Sequence, residues 1–328
     1  MEKMFYGCKQ LKSINVSRFN TEKVTRMDSM FGGCENLEFL DLSKFNTKSV
    51  ESMMKMFFGC TKLKFIYLFP KTFTADKVTT FYGMFSGCKS LLSLDLSGIV
   101  GNQVLSAENM FASCSSLQSL NLNNFEGIQI TNIDNMFYNC KELKSLDLPK
   151  FKGNIENMKN AFYECNNLEY INIINLNTGN ATSFEGLFFN CKSLTSLNLS
   201  NFDTSEVTNM ISMFEGCSNL TSLSLINFDT KKVTHMNKMF KDCNELVSLI
   251  INNFNTEKVL EINEMFYGVI NLRYLDLSGF DTRNISSWSD MWYGITNMNI
   301  RISAAKNKKI LENIDEGINI TDIGNDYN

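Results

Sequence analysis

Ten cysteines and one histidine are the residues of this 328-residue chain best suited to nucleophilic, redox or metal chemistry. The cysteines stand at positions 8, 34, 60, 88, 114, 140, 165, 191, 217 and 243. Their successive spacings are 26, 26, 28, 26, 26, 25, 26, 26 and 26 residues, and Val269 and Ile295 continue the series as apolar equivalents. No Cys-x-x-Cys pair of a zinc site occurs, and one histidine cannot build a histidine cluster. The strict period therefore indicates a structural repeat rather than a catalytic constellation.

Cysteines one period apart would lie about 5 Å from each other in stacked coils, within disulfide range. Each thiol would then have two equivalent neighbours, so the sequence dictates no pairing. Free cysteine is among the most buried residue types, and we expect a reduced structural ladder with no metal or cofactor. Calcium is a weaker alternative, because Asp41, Asp95, Asp147 and Asp276 share one column but do not fall in adjacent repeats.

The first half of each period has a helical pattern. Met27, Met30 and Phe31 stand at i, i+3 and i+4 and predict a short helical turn with one apolar face. Thr25 occupies the position of an N-cap. Gly33, like the Gly, Asn or Asp before most other cysteines, predicts a left-handed residue that ends the turn.

The second half of each period has the pattern of a half-buried strand. Leu40 and Leu42 alternate with polar or exposed positions. The triplet Phe45-Asn46-Thr47 predicts the return turn, with the Asn side chain bonding nearby backbone. Together the two halves predict an α/β solenoid like that of leucine-rich repeats. We expect a right-handed coil with one parallel sheet of about 11–12 short strands and helical turns on the opposite face.

Composition supports this organisation and excludes several classes of protein. Hydrophobic residues make up 44% of the chain, which is enough for a sizeable core, and the net charge of −4 gives no basic field for nucleic acid. No apolar run reaches the ~18 residues of a membrane span. We expect one solenoid of about 12 coils over residues 1–302 and a non-repeat tail or cap over residues 303–328. The first coil begins in mid-repeat without a signal peptide, so we expect the chain to be part of a longer protein.

The complete repeat resembles a known family. The residues that carry the resemblance are Val24-Thr25, Met30-Phe31, Gly33-Cys34, Leu37, Leu40, Leu42-Ser43, Phe45-Asn46-Thr47 and their equivalents. They are similar to the BspA-like leucine-rich repeat surface proteins in their variant of about 26 residues, over nearly the whole chain. The resemblance implies a cell-surface or secreted protein that adheres to host or neighbouring-cell proteins and has no catalytic residues.

The outward positions of the predicted strands are mostly Ser, Asn and Asp, and one group of aromatic residues interrupts them. Phe39, Phe65, Tyr67 and Phe69 form this group, which we call the aromatic patch. Exposed aromatic side chains at that density are typical of partner-binding surfaces. The structural alternative is that the rings pair across strands and only stabilise the sheet. Tyr170 and Tyr274 are further outward-facing aromatic candidates.

Three functions are compatible with these features. The leading prediction is a non-enzymatic protein-binding module whose exposed sheet face contacts a protein ligand, acting as an adhesin at a cell surface. An intracellular repeat scaffold is the first alternative, and a cytoplasmic location would suit the missing signal peptide. Carbohydrate recognition through Tyr67, Tyr170 and Tyr274 is the second. His235 is expected to be an exposed turn residue without a catalytic partner.

Overall fold

The computed structural model describes residues 1–69, 71–123, 125, 127–148, 151–312, 314 and 316–324. The chain divides into two compact units, Met1–Asn177 and Thr178–Asn328. Over the described residues of the first unit the strands are β1 (Phe39–Asp41), β2 (Phe65–Tyr67), β3 (Ser93–Asp95), β4 (Ser119–Asn121), β5 (Ser145–Asp147) and β6 (Tyr170–Asn172). The described part of the second unit contains β7 (Ser222–Ser224), β8 (Ser248–Ile250), β9 (Tyr274–Asp276), β10 (Met298–Ile302), α1 (Lys308–Leu311) and β11 (Ile318–Asp322).

Residues one period apart lie beside each other, as the spacing of the cysteines predicts. Phe39 of β1 pairs with Phe65 of β2, and all strand pairings among the described residues are parallel. The ladder runs in groups, β1-β2, β3-β4 and β5-β6 in the first unit and β7-β8 and β9-β10-β11 in the second. Between β2 and β3 the Leu92 N–H still donates to Lys64 O at 3.3 Å. Each unit is therefore a parallel β-solenoid, and the predicted fold class is confirmed.

The segment before each cysteine forms hydrogen-bonded turns instead of the predicted helical turn. The N–H groups of Ser29, Phe31 and Gly33 donate to carbonyls of the next coil at 2.7–2.9 Å. The intervening residues donate three positions back, as Cys34 N does to Phe31 O at 3.1 Å. Two left-handed residues per coil, Ser29 (φ 50) and Gly33 (φ 72), make this alternation possible. The left-handed residue before the cysteine was predicted, whereas the one at Ser29 was not, and it prevents a continuous helix.

The return turn uses both polar side chains of the Phe-Asx-Thr triplet. In the second unit the Asn255 side chain accepts a bond from the Glu257 N–H at 3.0 Å, as the sequence predicts. The hydroxyl of buried Thr230 has a role that the pattern did not reveal, because it bonds the next coil. It donates to Asn255 O at 2.9 Å and accepts from Asn255 N at 2.7 Å. Each such threonine fills a gap between coils that would otherwise leave backbone groups unpaired.

The core is a set of columns in which identical side chains stack. In the first unit the Phe31 and Phe57 rings are nearly parallel with centroids 5.9 Å apart, and Phe57 continues to Phe85 at 5.2 Å. The predicted Met and Phe stripe is fully buried in the inner coils, as at Met30, Phe31, Met56 and Phe57, whereas Met4 of the first coil is 48% exposed. No single coil encloses these rings, so stability comes from neighbouring coils.

The irregular repeats keep the same core by other means. In the coil after β2, Phe73 is buried and the Thr47 hydroxyl donates to Thr74 O at 2.7 Å. This coil is longer than the others, since Cys60 and Cys88 are 28 residues apart. Its Pro70 lies outside the described residues. Where the Asx-Thr turn is missing, Gly153 brings two coils into close contact. A Cβ at Gly153 would stand 2.1 Å from Ile130 O, so only glycine fits.

The tail packs on the last coil through two elements. Strand β11 pairs with β10, with Met298 opposite Ile318. Ile310 of α1 is buried, and its carbonyl accepts the Trp292 indole N–H at 3.1 Å. The boundary at residue 302 remains a prediction.

The turn conformation is tested by Asn135→Ala. Asn135 has φ 52, and a left-handed Ala costs about 1 kcal/mol. We therefore expect a lower free energy of unfolding in urea, followed by circular dichroism. If residue 135 were in a helical turn, Asn135→Ala would instead raise the free energy of unfolding, because Ala exceeds Asn in helix propensity by about 0.5 kcal/mol. Asn135→Gly, which tolerates this φ, is the control and should stay within about 0.5 kcal/mol of the parent.

Candidate functional site

The cysteines form hydrogen-bonded ladders inside the two units. The Cys60 thiol donates to Phe31 O at 3.1 Å, and the Cys114 thiol donates to Phe85 O at 3.2 Å. The same kind of bond, to the Phe carbonyl of the preceding coil, is made by Cys34, Cys60, Cys88, Cys114, Cys140, Cys165, Cys217 and Cys243. All ten cysteines are free in the structure, and the reduced state of the ladder remains a prediction.

Burial makes these thiols poor nucleophiles. Desolvation raises the pKa of Cys114 and of Cys217 to about 12. The thiolate is the reactive form of cysteine, and at neutral pH it is scarce at these positions. Cys8 of the first coil is exposed. The ladder is therefore a structural feature and not a candidate site of chemistry.

The other residues considered for metal or acid–base chemistry have structural partners. Asp41 accepts the Ser43 N–H at 2.8 Å, and Asp95 accepts the Ser97 N–H at 2.9 Å. Within the described part of the chain, no three His, Cys, Asp or Glu residues are grouped as a metal would require. His235 is half-buried, not exposed as predicted, because it lies in a column of parallel bridges between Asn209 and Glu261. One ring nitrogen of His235 lies 2.8 Å from the Thr234 hydroxyl.

In most coils the last outward position of the strand segment is an Asx residue that holds the chain as it leaves the sheet. These Asx side chains accept the backbone N–H two residues further on, at Asn15, Asp41, Asp95, Asn121, Asn172, Asn198 and Asp276. We call this set the Asx column. Its polarity therefore follows from the local backbone and needs no ligand. Tyr67 and Ile250 occupy the same position without a side chain that can make this bond.

The structure brings Phe39, Phe65 and Tyr67 of the aromatic patch together on the outward face of β1 and β2, and Phe69 follows β2 by two residues. Phe39 pairs with Phe65, and Asp41 pairs with Tyr67. The Phe39 and Tyr67 rings meet edge to face at 6.0 Å and 66°. Their exposed fractions are 43% for Phe39, 47% for Phe65, 63% for Tyr67 and 45% for Phe69. About half of each residue is thus available to a partner after the cross-strand contact is made.

The other two predicted tyrosines are exposed but lie outside the aromatic patch. Tyr170 belongs to β6, opposite Ser145. Among the described rings, none has a ring contact that connects Tyr170 with the aromatic patch. Tyr274 belongs to the second unit and lines a shallow cleft of about 400 Å³ with Val247, Ile250 and Asp276.

This cleft contains exposed aliphatic residues that the sequence reading did not select. Val247 is 58% exposed and Ile250 is 44% exposed. Ile250 could have been identified because it stands at the strand position where most coils have Asn or Asp. Val247 could have been identified because the equivalent positions Lys12, Glu38 and Lys64 are charged.

Comparison with known proteins identifies the family. The family model described as "Mycoplasma protein of unknown function, DUF285" matches residues 1–66, 69–156, 151–226 and 221–322. The chain therefore belongs to this family of repeat proteins. No curated protein matches it.

Several solved structures are similar to the chain. A leucine-rich repeat protein from Eubacterium ventriosum matches with 16% identity and a TM-score of 0.39, over 83% of this chain and 80% of that one. The TLR13–ssRNA13 complex matches with 15% identity and a TM-score of 0.23, over 91% of this chain and 52% of that one. At these scores neither match supports a conclusion about function. Among the described residues, no helix combines the length and apolarity needed to cross a bilayer.

The thiol ladder predicts alkaline sensitivity. Burial raises the folded pKa of Cys114 from the ordinary 9.0 to about 12. Its contribution to stability is complete below pH 9.0 and is lost as pH rises towards about 12. Cys114→Ala should therefore lose stability less steeply between about pH 9 and 11 than the parent, by up to about 1.4 kcal/mol per pH unit. Urea unfolding at each pH measures this, and equal slopes for the two proteins would contradict it.

Proposed function

We propose that this chain is a non-enzymatic protein-binding module and that the aromatic patch is its contact surface. Three aromatic side chains, Phe39, Phe65 and Tyr67, share one exposed face of two paired strands. Aromatic residues are enriched among the side chains that dominate the energy of protein interfaces. The two paired strands hold these side chains on one face before a partner binds, and such pre-organisation lowers the entropy lost on binding.

The observation that carries the proposal is the exchange at Tyr67. This position holds an Asx side chain in most coils, where it bonds the backbone. Tyr67 makes no such bond, and it is the most exposed member of the aromatic patch. A residue that gives up a local structural bond to expose an aromatic ring is better explained by binding than by folding.

We further propose that the module acts at a cell surface in adhesion to host or neighbouring cells. This location is supported by the resemblance of the repeat to BspA-like surface proteins. Carbohydrate recognition and an intracellular scaffold are the competing functions. The wide separation in sequence of Tyr170 and Tyr274 from the aromatic patch favours a protein ligand over a carbohydrate subsite built from all three tyrosines.

The contact surface is tested by changing Phe39, Phe65 and Tyr67 together to Ser. Ser93 and Ser119 hold the position of Phe39 and Phe65 in β3 and β4, and Ser224 holds the position of Tyr67 in β7. Beads coated with the full chain are mixed with host or neighbouring cells, and adhesion is counted. We expect the triple variant to lose at least about tenfold in adhesion, because several central aromatic contacts are removed.

Tyr170→Ser is the matched control, because it removes an exposed aromatic residue outside the aromatic patch. Its adhesion should equal that of the parent, and the circular dichroism of all variants should be unchanged. Undiminished adhesion of the triple variant would exclude the aromatic patch. Loss of adhesion after glycosidase treatment of the cells, with resistance to protease, would instead favour carbohydrate recognition.

The location is tested by protease treatment of intact source cells. A surface module should be degraded while a cytoplasmic marker protein survives. Detection by antibody against the full chain gives the readout. Survival of the chain until the cells are lysed would support the intracellular scaffold instead.

A further inference from the structure

We infer that the aromatic patch recognises an arginine side chain on its protein partner, with Asp41 as the charged contact. This inference rests on the proposed function and specifies the chemistry of the partner. Two features of the surface carry it: the exposure of the aromatic residues and the negative charge beside them.

The aromatic rings favour a cation. Phe39, Phe65 and Tyr67 are about half exposed, and the one ring contact among them joins Phe39 and Tyr67 edge to face. The faces of aromatic rings carry partial negative charge and attract ammonium or guanidinium groups within about 6 Å. Arginine fits better than lysine, because its planar group stacks on rings and also binds a carboxylate with two hydrogen bonds.

One carboxylate beside the aromatic patch, that of Asp41, accepts the Ser43 N–H at 2.8 Å but has no basic partner among the described residues. Glu38 and Lys64, which precede Phe39 and Phe65, neutralise each other in a salt bridge of 3.2 Å. Asp41 is exposed and pairs across the strands with Tyr67. Among the described residues, no basic side chain lies within salt-bridge distance of Asp41.

The Asp41 carboxylate is fully ionised at neutral pH. Hydrogen bonds from Ser43, first from its side chain and then from its backbone, lower the pKa of Asp41, and the charge of Lys44 adds a small effect. In β3, the next strand along the chain, Asp95 holds the equivalent position. Tyr67 therefore follows one aspartate and precedes another in the Asx column, and this arrangement complements a positive side chain placed on its ring.

Asp41→Asn removes the charge with little structural change. Asn15, Asn121 and Asn172 occupy the same column of the first unit and accept the same backbone bond that Asp41 accepts. Asp147→Asn is the control, since Asp147 holds the strand position in β5 that Asp41 holds in β1, and its carboxylate accepts the Asn172 amide at 2.8 Å rather than lying beside the aromatic patch.

The probe is a phage-displayed library of random peptides, selected on the full chain. Clones that bind the parent but not the Phe39, Phe65 and Tyr67 triple Ser variant are sequenced. We expect arginine to be enriched at least about threefold over the unselected library. A synthetic selected peptide should bind the Asp41→Asn variant about two- to fivefold more weakly and the Asp147→Asn variant as tightly as the parent.

Salt and a lysine replacement sharpen the test. Raising the salt from about 0.05 M to about 0.5 M should weaken binding to the parent more than binding to Asp41→Asn, because the remaining ring contacts are not screened. Replacing the arginine of the peptide by lysine should weaken binding to the parent, since lysine cannot make the planar, two-bond contact.

The outcomes separate this inference from the proposed function. Peptides that require the aromatic rings but show no arginine enrichment, or that bind Asp41→Asn as well as the parent, overturn the arginine contact and leave the proposed function standing. If no clone depends on the rings, the inference is overturned. The cell-adhesion assay of the triple variant then decides separately whether the aromatic patch binds a partner at all.

Discussion

The hydrogen bonds between adjacent coils are the interaction on which each unit depends. Backbone N–H groups reach the next coil at alternate positions, as Phe31 N does to Met56 O at 2.9 Å. Buried polar side chains follow the same rule, with Cys60 bonding Phe31 O and Thr230 bonding Asn255 O. A buried polar group without a partner costs about 1–3 kcal/mol. The repeat avoids that cost by making each coil the partner of its neighbour.

This arrangement also separates the residues that fold the chain from those left for binding. The Phe, Met, Leu, Cys and Thr columns make the contacts between coils, and each side chain of the Asx column accepts a backbone bond where the chain leaves the sheet. Asp41 makes this bond and is also exposed. The first outward position of each strand accepts residues of very different size, since Ser93, Ser119 and Tyr170 all occupy it. The fold therefore does not require a particular side chain at this position. Phe39 and Phe65 lie at that position, so their aromatic character is not required by the fold.

The two units differ in the kind of apolar surface they expose. The first unit presents aromatic rings beside the ionised carboxylate of Asp41. The second presents the aliphatic side chains of Val247 and Ile250 next to Tyr274. This difference in exposed residues is typical of a solenoid, in which the outward residues vary from coil to coil while the core is constant.

Much of this architecture was readable from the sequence, because the period of the cysteines is a one-dimensional property. The register of coils, the buried Met and Phe stripe and the exposure of Phe39, Phe65 and Tyr67 all follow from it. The hydrogen-bonded turns before each cysteine could not be predicted in the same way. Spacings of three and four residues suit a helix as well as a chain of turns, and the choice depends on an acceptor about 25 residues away. Only the stacked structure places that backbone acceptor beside its donor. The threonine bonds between coils and the cleft beside Tyr274 likewise depend on the stacked structure, because they join residues from different coils.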